Sequence, residues 1–187
     1  MPRSDYSEVE AFLNDRDANR RRRREHHLHI EEYRRTDCAF FLTCCARHHG
    51  EPFTDCELAG AVIEALRYRQ RACVWQVYAY CVMPDHLHAV LQLLASDDGQ
   101  LAPTDLLTMM GEFRSFTTRA GWRRGLRGPL WQHDQYDRLL RGDEEFAIRC
   151  QYVLDNPVRK GLVEDWTLWP YSGSMAEFDA WRPVAQL

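Results

Sequence analysis

The sequence predicts an α+β fold, an antiparallel sheet with helices packed mainly on one face. Three observations carry this. Apolar runs of strand character alternate with segments whose apolar residues recur at helical spacing, in the order strand, helix, strand, strand, helix, strand, helix. The two middle strand candidates are separated only by Met83-Pro84-Asp85, which leaves room for an antiparallel connection and no crossover. The 187 residues, 45% apolar and 28% charged, suit one domain with extensions.

Residues 1–36 are densely charged and poor in strand formers, and read as an N-terminal extension; Arg20 through Arg24 form an unbroken basic run. That run suits either a nucleic-acid backbone or a solvated helix face. The body spans residues 37–172, and residues 173–187 form a tail. Cys38 to Cys45 is a compact apolar run and the first strand. Thr54 to Arg69 places Leu58, Ala61, Val62, Ala65 and Leu66 on one helical face, with Thr54 or Asp55 as cap. Cys73 to Val82 and His86 to Leu94 are the central strands. Thr104 opens a helix through Leu106, Leu107, Met110, Phe113 and Phe116, followed by a glycine-punctuated loop from Gly121 to Pro129. Asp137 to Arg141 is a short strand. Asp143 caps a last helix, which Pro157 ends.

Composition excludes little. The net charge of −4 is no global nucleic-acid signature, although basic patches can hide in a balanced total. The seven cysteines include no C-x-x-C pair and read as buried free thiols of a reducing cytoplasm. The N-terminus lacks a signal-peptide apolar region, and no run of about 18 apolar residues predicts a membrane span.

The most informative residues are His86 and His88. A strand alternates its side chains, so the two imidazoles share a face while Leu87, Ala89, Leu91 and Leu93 point to a core. Two adjacent imidazoles make part of a metal site or a hydrogen-bonded pair. Tyr152 and Asn156 lie four residues apart, the spacing that puts two helical side chains on one side. The Asn156 amide oxygen is a hard ligand suited to magnesium or manganese; alternatively Asn156 caps the helix and Tyr152 packs. A basic stretch, Arg114, Arg119, Arg123, Arg124 and Arg127, carries Phe116 and Trp122 among its cations and no acid after Glu112. Cations there would track phosphates, aromatic faces would stack unpaired bases, and Thr117 and Thr118 would donate to phosphates. Trp166, Trp169, Tyr171 and Trp181 read as packing residues.

Taken together, Met83-Pro84-Asp85-His86-Leu87-His88, then Trp131-Gln132, Tyr136-Asp137 and Arg141, then Tyr152 through Val163, resemble the single-tyrosine HUH transposases, in particular their REP-associated branch. The resemblance covers roughly residues 37–172. It implies a ferredoxin-like sheet, a divalent cation (Mg or Mn), and cleavage of single-stranded or hairpin DNA through a 5′-phosphotyrosine. It assigns His86, His88 and Asn156 to the metal and Tyr152 to the nucleophile. It also implies a cytoplasmic, nucleoid-associated protein acting as a monomer or homodimer. Tyr136 is the rival nucleophile but lacks a ligand-type residue four positions on, and Tyr80 belongs to a strand core pattern. The DNA-facing set is Arg114, Arg119, Trp122, Arg123, Arg124 and Arg127. Two other functions are compatible with the residues: a non-catalytic nucleic-acid binder on the same fold, and a small metallohydrolase using the two histidines.

Overall fold

The computed structural model describes residues 28–47, 50–95, 105–133 and 135–174. The Arg20–Arg24 run, Thr104 and Trp181 lie outside the described residues. The elements are β1 (Ala39–Cys45), α1 (Cys56–Arg71), β2 (Trp75–Met83), β3 (His86–Leu93), α2 (Leu106–Arg123), β4 (Tyr136–Leu140), α3 (Asp143–Leu154), α4 (Asn156–Arg159) and β5 (Ser172–Ser174). The sheet order is β4-β1-β3-β2-β5, and every neighbouring pair is antiparallel. The first six elements therefore form the ferredoxin-like βαββαβ unit, in which each helix carries the chain past one intervening strand.

Strand alternation splits the core in two. Phe40, Leu42, Val82, Leu87, Ala89 and Leu91 join Leu58, Val62 and Leu66 of α1 and Met109 and Phe113 of α2 in the larger cluster. Ala39, Phe41, Ala79, Cys81, Met83 and Val90 occupy the opposite face with Tyr152, Val153 and Leu154 of α3. The two longest helices thus share one face, and the tyrosine helix covers the other. A bulge between Val77 and Ala79 inverts the parity of β2. It leaves Tyr80 in the larger core, as the strand pattern predicts, and turns Cys81 toward the histidine face.

Four local expectations need correction. The loop predicted from Gly121 is helical as far as Arg123, because Leu126 packs against Gly121 where a β-carbon would stand. Asp105, not Thr104, caps α2 by accepting from the Thr108 amide. Asp143 is the first helical residue of α3, behind Gly142, which makes no side-chain cap. Pro157 does not end the helical path: it lies in the first turn of α4, where its missing N–H breaks no bond. Strand β5, which the apolar pattern does not announce, is possible because Gly173 lies across from Tyr80; a β-carbon there would stand 2.8 Å from the phenol oxygen.

Both ends of the described chain clamp the sheet. Tyr33 is buried and donates to Asp137 Oδ2 at 2.6 Å. Trp169 donates its indole N–H to the Val82 carbonyl, and Trp166 and Trp169 pack on the tyrosine-helix core, in keeping with their expected packing role. Among the described residues, no helix is long and apolar enough to cross a membrane.

Candidate active site

His86 opens β3 directly after the Pro84-Asp85 turn. It pairs with Met83 on one side and Cys45 on the other, while His88 pairs with Cys81 and Thr43. Both imidazoles lie on the α3 face of the sheet and both residues are buried. Their Nε2 atoms converge to 3.1 Å. His86 Nδ1 is 2.6 Å from Asp85 Oδ1, and His88 Nδ1 is 2.8 Å from Thr43 Oγ1. An ionised carboxylate only accepts, so the proton of neutral His86 sits on Nδ1 and its Nε2 carries a lone pair. His88 Nε2–H then donates to His86, while its Nδ1 accepts from the Thr43 hydroxyl. Every polar atom of this chain is satisfied, from Thr43 through both rings to Asp85. Rotation of the Thr43 hydroxyl lets it accept instead, moving the His88 proton to Nδ1 and freeing a second converging Nε2 lone pair. Burial, with the charges of Arg159 and Lys160 and of His86 whenever that ring is protonated, holds the His88 imidazolium pKa well below the usual range. The ring is therefore neutral near pH 7, the state a metal ligand needs. The hydrogen bond with His86 holds the Asp85 carboxyl below its ordinary value.

Tyr152 projects from α3 onto this pair. Its ring meets His88 edge-on at 5.6 Å between centroids and Phe41 at 5.9 Å. Phe41 in turn stacks on His88 at 5.6 Å. Tyr152 is 1% exposed. Asn156 follows four residues later, as the first residue of α4 rather than the end of α3, and α4 packs on β2. Asn156 is 2% exposed, and its Oδ1 accepts no hydrogen bond among the described residues. A buried carbonyl oxygen without a donor is costly, which fits an oxygen reserved for a cation. Among the described residues, no three His, Cys, Asp or Glu side chains gather at one point. Among the described residues, a third protein ligand for a cation at the histidine pair would be of another side-chain type, and an amide oxygen qualifies. The residues present therefore fit a hard divalent ion. The rival Tyr136 lies across β1 from the pair, opposite Thr43, with its ring 5.9 Å from Phe41.

The chain is 31% identical over 105 residues to a putative REP-associated tyrosine transposase of Haemophilus influenzae, covering 52% of this chain and 58% of that protein. It is 27% identical over 115 residues to the REP-associated tyrosine transposase of Escherichia coli, covering 62% and 61%. Over these stretches the chain is similar to two REP-associated tyrosine transposases. It spans about three fifths of the length of these curated relatives. The solved structure of a REP-associated tyrosine transposase bound to a REP hairpin has the same fold: TM-score 0.59 and 22% identity, over 82% of this chain and 87% of the other. No family model matches.

In this chain, the end of α2 reaches the same end of the sheet as the histidines. Arg47 N–H donates to the Leu130 carbonyl beyond α2, and Ala46 N–H donates to the carbonyl of Asp85. The basic stretch does not act as one set. Arg119, Arg123 and Arg127 are exposed, and Trp122 stands 53% exposed with its indole N–H on the Gly128 carbonyl. Arg124 instead pairs with Asp55 and Glu57, the carboxylates that open α1. Arg114 is spent on the Met110 and His133 carbonyls. Thr117 is buried and its hydroxyl is spent, donating to the Phe113 carbonyl and accepting from the Trp131 indole, whereas Thr118 accepts from Leu130 N–H and keeps its own O–H as a donor. The acids missing from the local sequence reach Arg124 from another element. Four residues that shape the site escaped the sequence reading: Thr43, Asp85, Phe41 and Arg159. For Asp85, adjacency to His86 was an available signal. Thr43 and Phe41 became visible only with the β1–β3 register.

Proposed function

We propose that this chain is a metal-dependent single-strand DNA endonuclease and strand transferase, transposase-like, acting on hairpin-forming DNA through a 5′-phosphotyrosine at Tyr152. One observation carries the reading: two histidines with converging Nε2 atoms lie beside a tyrosine ring 5.6 Å from one of them.

His86, His88 and Asn156 would hold a magnesium or manganese ion, which when bound polarises the scissile phosphate and offsets charge on its oxygens. Asp85 and Thr43 keep the two rings oriented with Nε2 toward that point. Tyr152 Oη attacks phosphorus, the bond from phosphorus to the 3′-oxygen breaks, and the departing oxygen takes up a proton while the phenol loses one. The phosphate stays a diester, now on Tyr152. A later 3′-hydroxyl therefore reseals DNA by the reverse exchange without an external energy source. Exposed Arg119, Arg123 and Arg127 would track the strand backbone, with Trp122 as a stacking platform.

The burial of Tyr152 favours a second reading, a non-catalytic nucleic-acid binder on the same fold. A side chain 1% exposed meets DNA only after the segment around it shifts. Incubation with labelled single-stranded hairpins and magnesium or manganese separates the two. Covalent protein–DNA adducts that vanish in His88→Ala support the enzyme; tight binding without adducts supports the binder.

A further inference from the structure

Arg149 lies on the inward side of α3. Phe146, Arg149 and Val153 recur at three- and four-residue spacing, the stripe by which this helix packs on the sheet. A core position is thus held by an arginine, 8% exposed. Its guanidinium carbon stands over the Phe41 ring, 5.7 Å from the centroid. Among the described residues, its buried Nε has no hydrogen-bond partner and no carboxylate forms an ion pair with it. Glu145, one turn earlier on the same helix, pairs with Arg138 instead.

Packing accounts poorly for this. Arginine keeps its charge when buried. The pull of one aromatic face is weaker than the cost of taking a guanidinium out of water. Methionine or leucine would fill the same stripe without that cost. A guanidinium laid face-on over a ring keeps its in-plane N–H donors for an anion, in a fork that matches phosphate oxygens.

The surroundings say which anion. The Phe41 ring beneath Arg149 also meets Tyr152, His88 and Tyr136. Arg149 precedes Tyr152 by three residues, so both project from one side of α3. Register pairs Phe41 with Arg138 and Thr43 with Tyr136, which puts Tyr136 and Arg138 on this face of the edge strand β4, where both are only half-buried. A single strand running along β4 to Tyr152 would pass the Tyr136 ring and the Arg149 guanidinium, a stacking face beside a cation. The helix starts beside the Ala39–Leu140 end of the sheet and reaches the histidine row at Tyr152. Arg149, one turn earlier, therefore stands short of the metal ligands.

We propose that Arg149 binds a backbone phosphate of the single strand, at a linkage flanking the one presented to Tyr152. The proposal rests on the strand-binding part of the reading above, and holds whether the chain cleaves the strand or only binds it.

The test uses the full chain and a fluorescent hairpin with a single-stranded flank, bound without metal. An uncharged methylphosphonate is moved through the flank one linkage at a time. Arg149→Met should weaken binding by ~10–100-fold, the worth of one charge-assisted contact, and Arg149→Lys should recover part of it. One linkage should matter to the wild type and not to Arg149→Met, because only the wild type has a partner for its charge. In adducts formed with manganese, that linkage should neighbour the one joined to Tyr152. Free Arg149→Met should melt no lower than the wild type, since it removes a buried charge that no anion yet covers. Wild-type affinity in both variants, or an equal methylphosphonate penalty in wild type and variant at every linkage, overturns the phosphate site and leaves hairpin binding standing. A fold that neither variant keeps does the same, by making Arg149 a packing residue. Coupling confined to the linkage joined to Tyr152 overturns the flanking placement. Failure of the wild type to bind the hairpin overturns both the site and the functional reading.

Discussion

Asp85 Oδ1 lies 2.6 Å from His86 Nδ1, and this contact decides which nitrogen of His86 faces His88. A carboxylate accepts only, so in the neutral ring Nδ1 holds the proton and Nε2 keeps its lone pair, the form the proposed metal site needs. Asp85→Asn removes that certainty, since an amide can donate to Nδ1 and stabilise the other tautomer. Manganese affinity, followed by the loss of the free-ion EPR signal, should weaken by ~10–100-fold. Thr43→Val should act in the same direction on His88. Equal affinity in wild type and Asp85→Asn would show that the carboxylate does not orient the ring.

A pH dependence follows from His88. Burial depresses its folded pKa well below 6.5, whereas the unfolded chain titrates near that value. Between the two, the unfolded state binds a proton that the folded state refuses, so acid favours unfolding. The contribution is full above about pH 6.5 and is lost as pH falls from there toward the folded value. Metal-free protein should therefore show a Tm that drops from pH 7 to pH 5.5, by at most ~1.4 kcal/mol of stability per pH unit from this group. Asp85 adds its own loss only below its ordinary value of 3.8, a separate window. In His88→Gln the slope near pH 6 should flatten; a slope unchanged by that substitution would assign it to other groups.

Tyr152→Phe deletes one oxygen and keeps the ring that Phe41, His88 and Arg159 contact. Folding and hairpin affinity should be retained, while covalent adducts and cleavage disappear. Asn156→Ala should weaken metal dependence more than DNA binding. Undiminished adducts from Tyr152→Phe would move the assignment to Tyr136, which lies on the same sheet face two strands from His88.

The basic residues of α2 and its following loop should separate into two behaviours. Alanine at Arg119, Arg123 and Arg127 together should weaken single-strand binding and reduce the slope of log K against log salt by ~0.7 per lost phosphate contact. Arg124→Ala should leave that slope nearly intact and instead loosen the link to Asp55 and Glu57, an exposed and solvent-screened contact. Salt titrations followed by anisotropy distinguish them. An identical slope in the triple variant and the wild type would make the patch a solvated face.

The strand and helix order, the shared face of His86 and His88, and the core side of Leu87, Ala89 and Leu91 were all readable from the sequence alone. Each depends on local periodicity, which the chain carries in every residue. The i, i+4 relation of Tyr152 and Asn156 was equally visible, although not that Pro157 would open a new turn between α3 and Lys160. Only the tertiary structure decided the rest, because it depended on register and on which element faces which. Thr43 joins His88 through the pairing of β1 with β3, separated by 45 residues. Arg124 meets carboxylates from the start of α1, 69 and 67 residues away, and so leaves the basic patch. Gly173 admits β5 because Tyr80 fills the space a side chain would need. Tyr152 is buried because its helix lies on the sheet face that α1 and α2 leave open. Such contacts join residues far apart in sequence, and no local pattern encodes them.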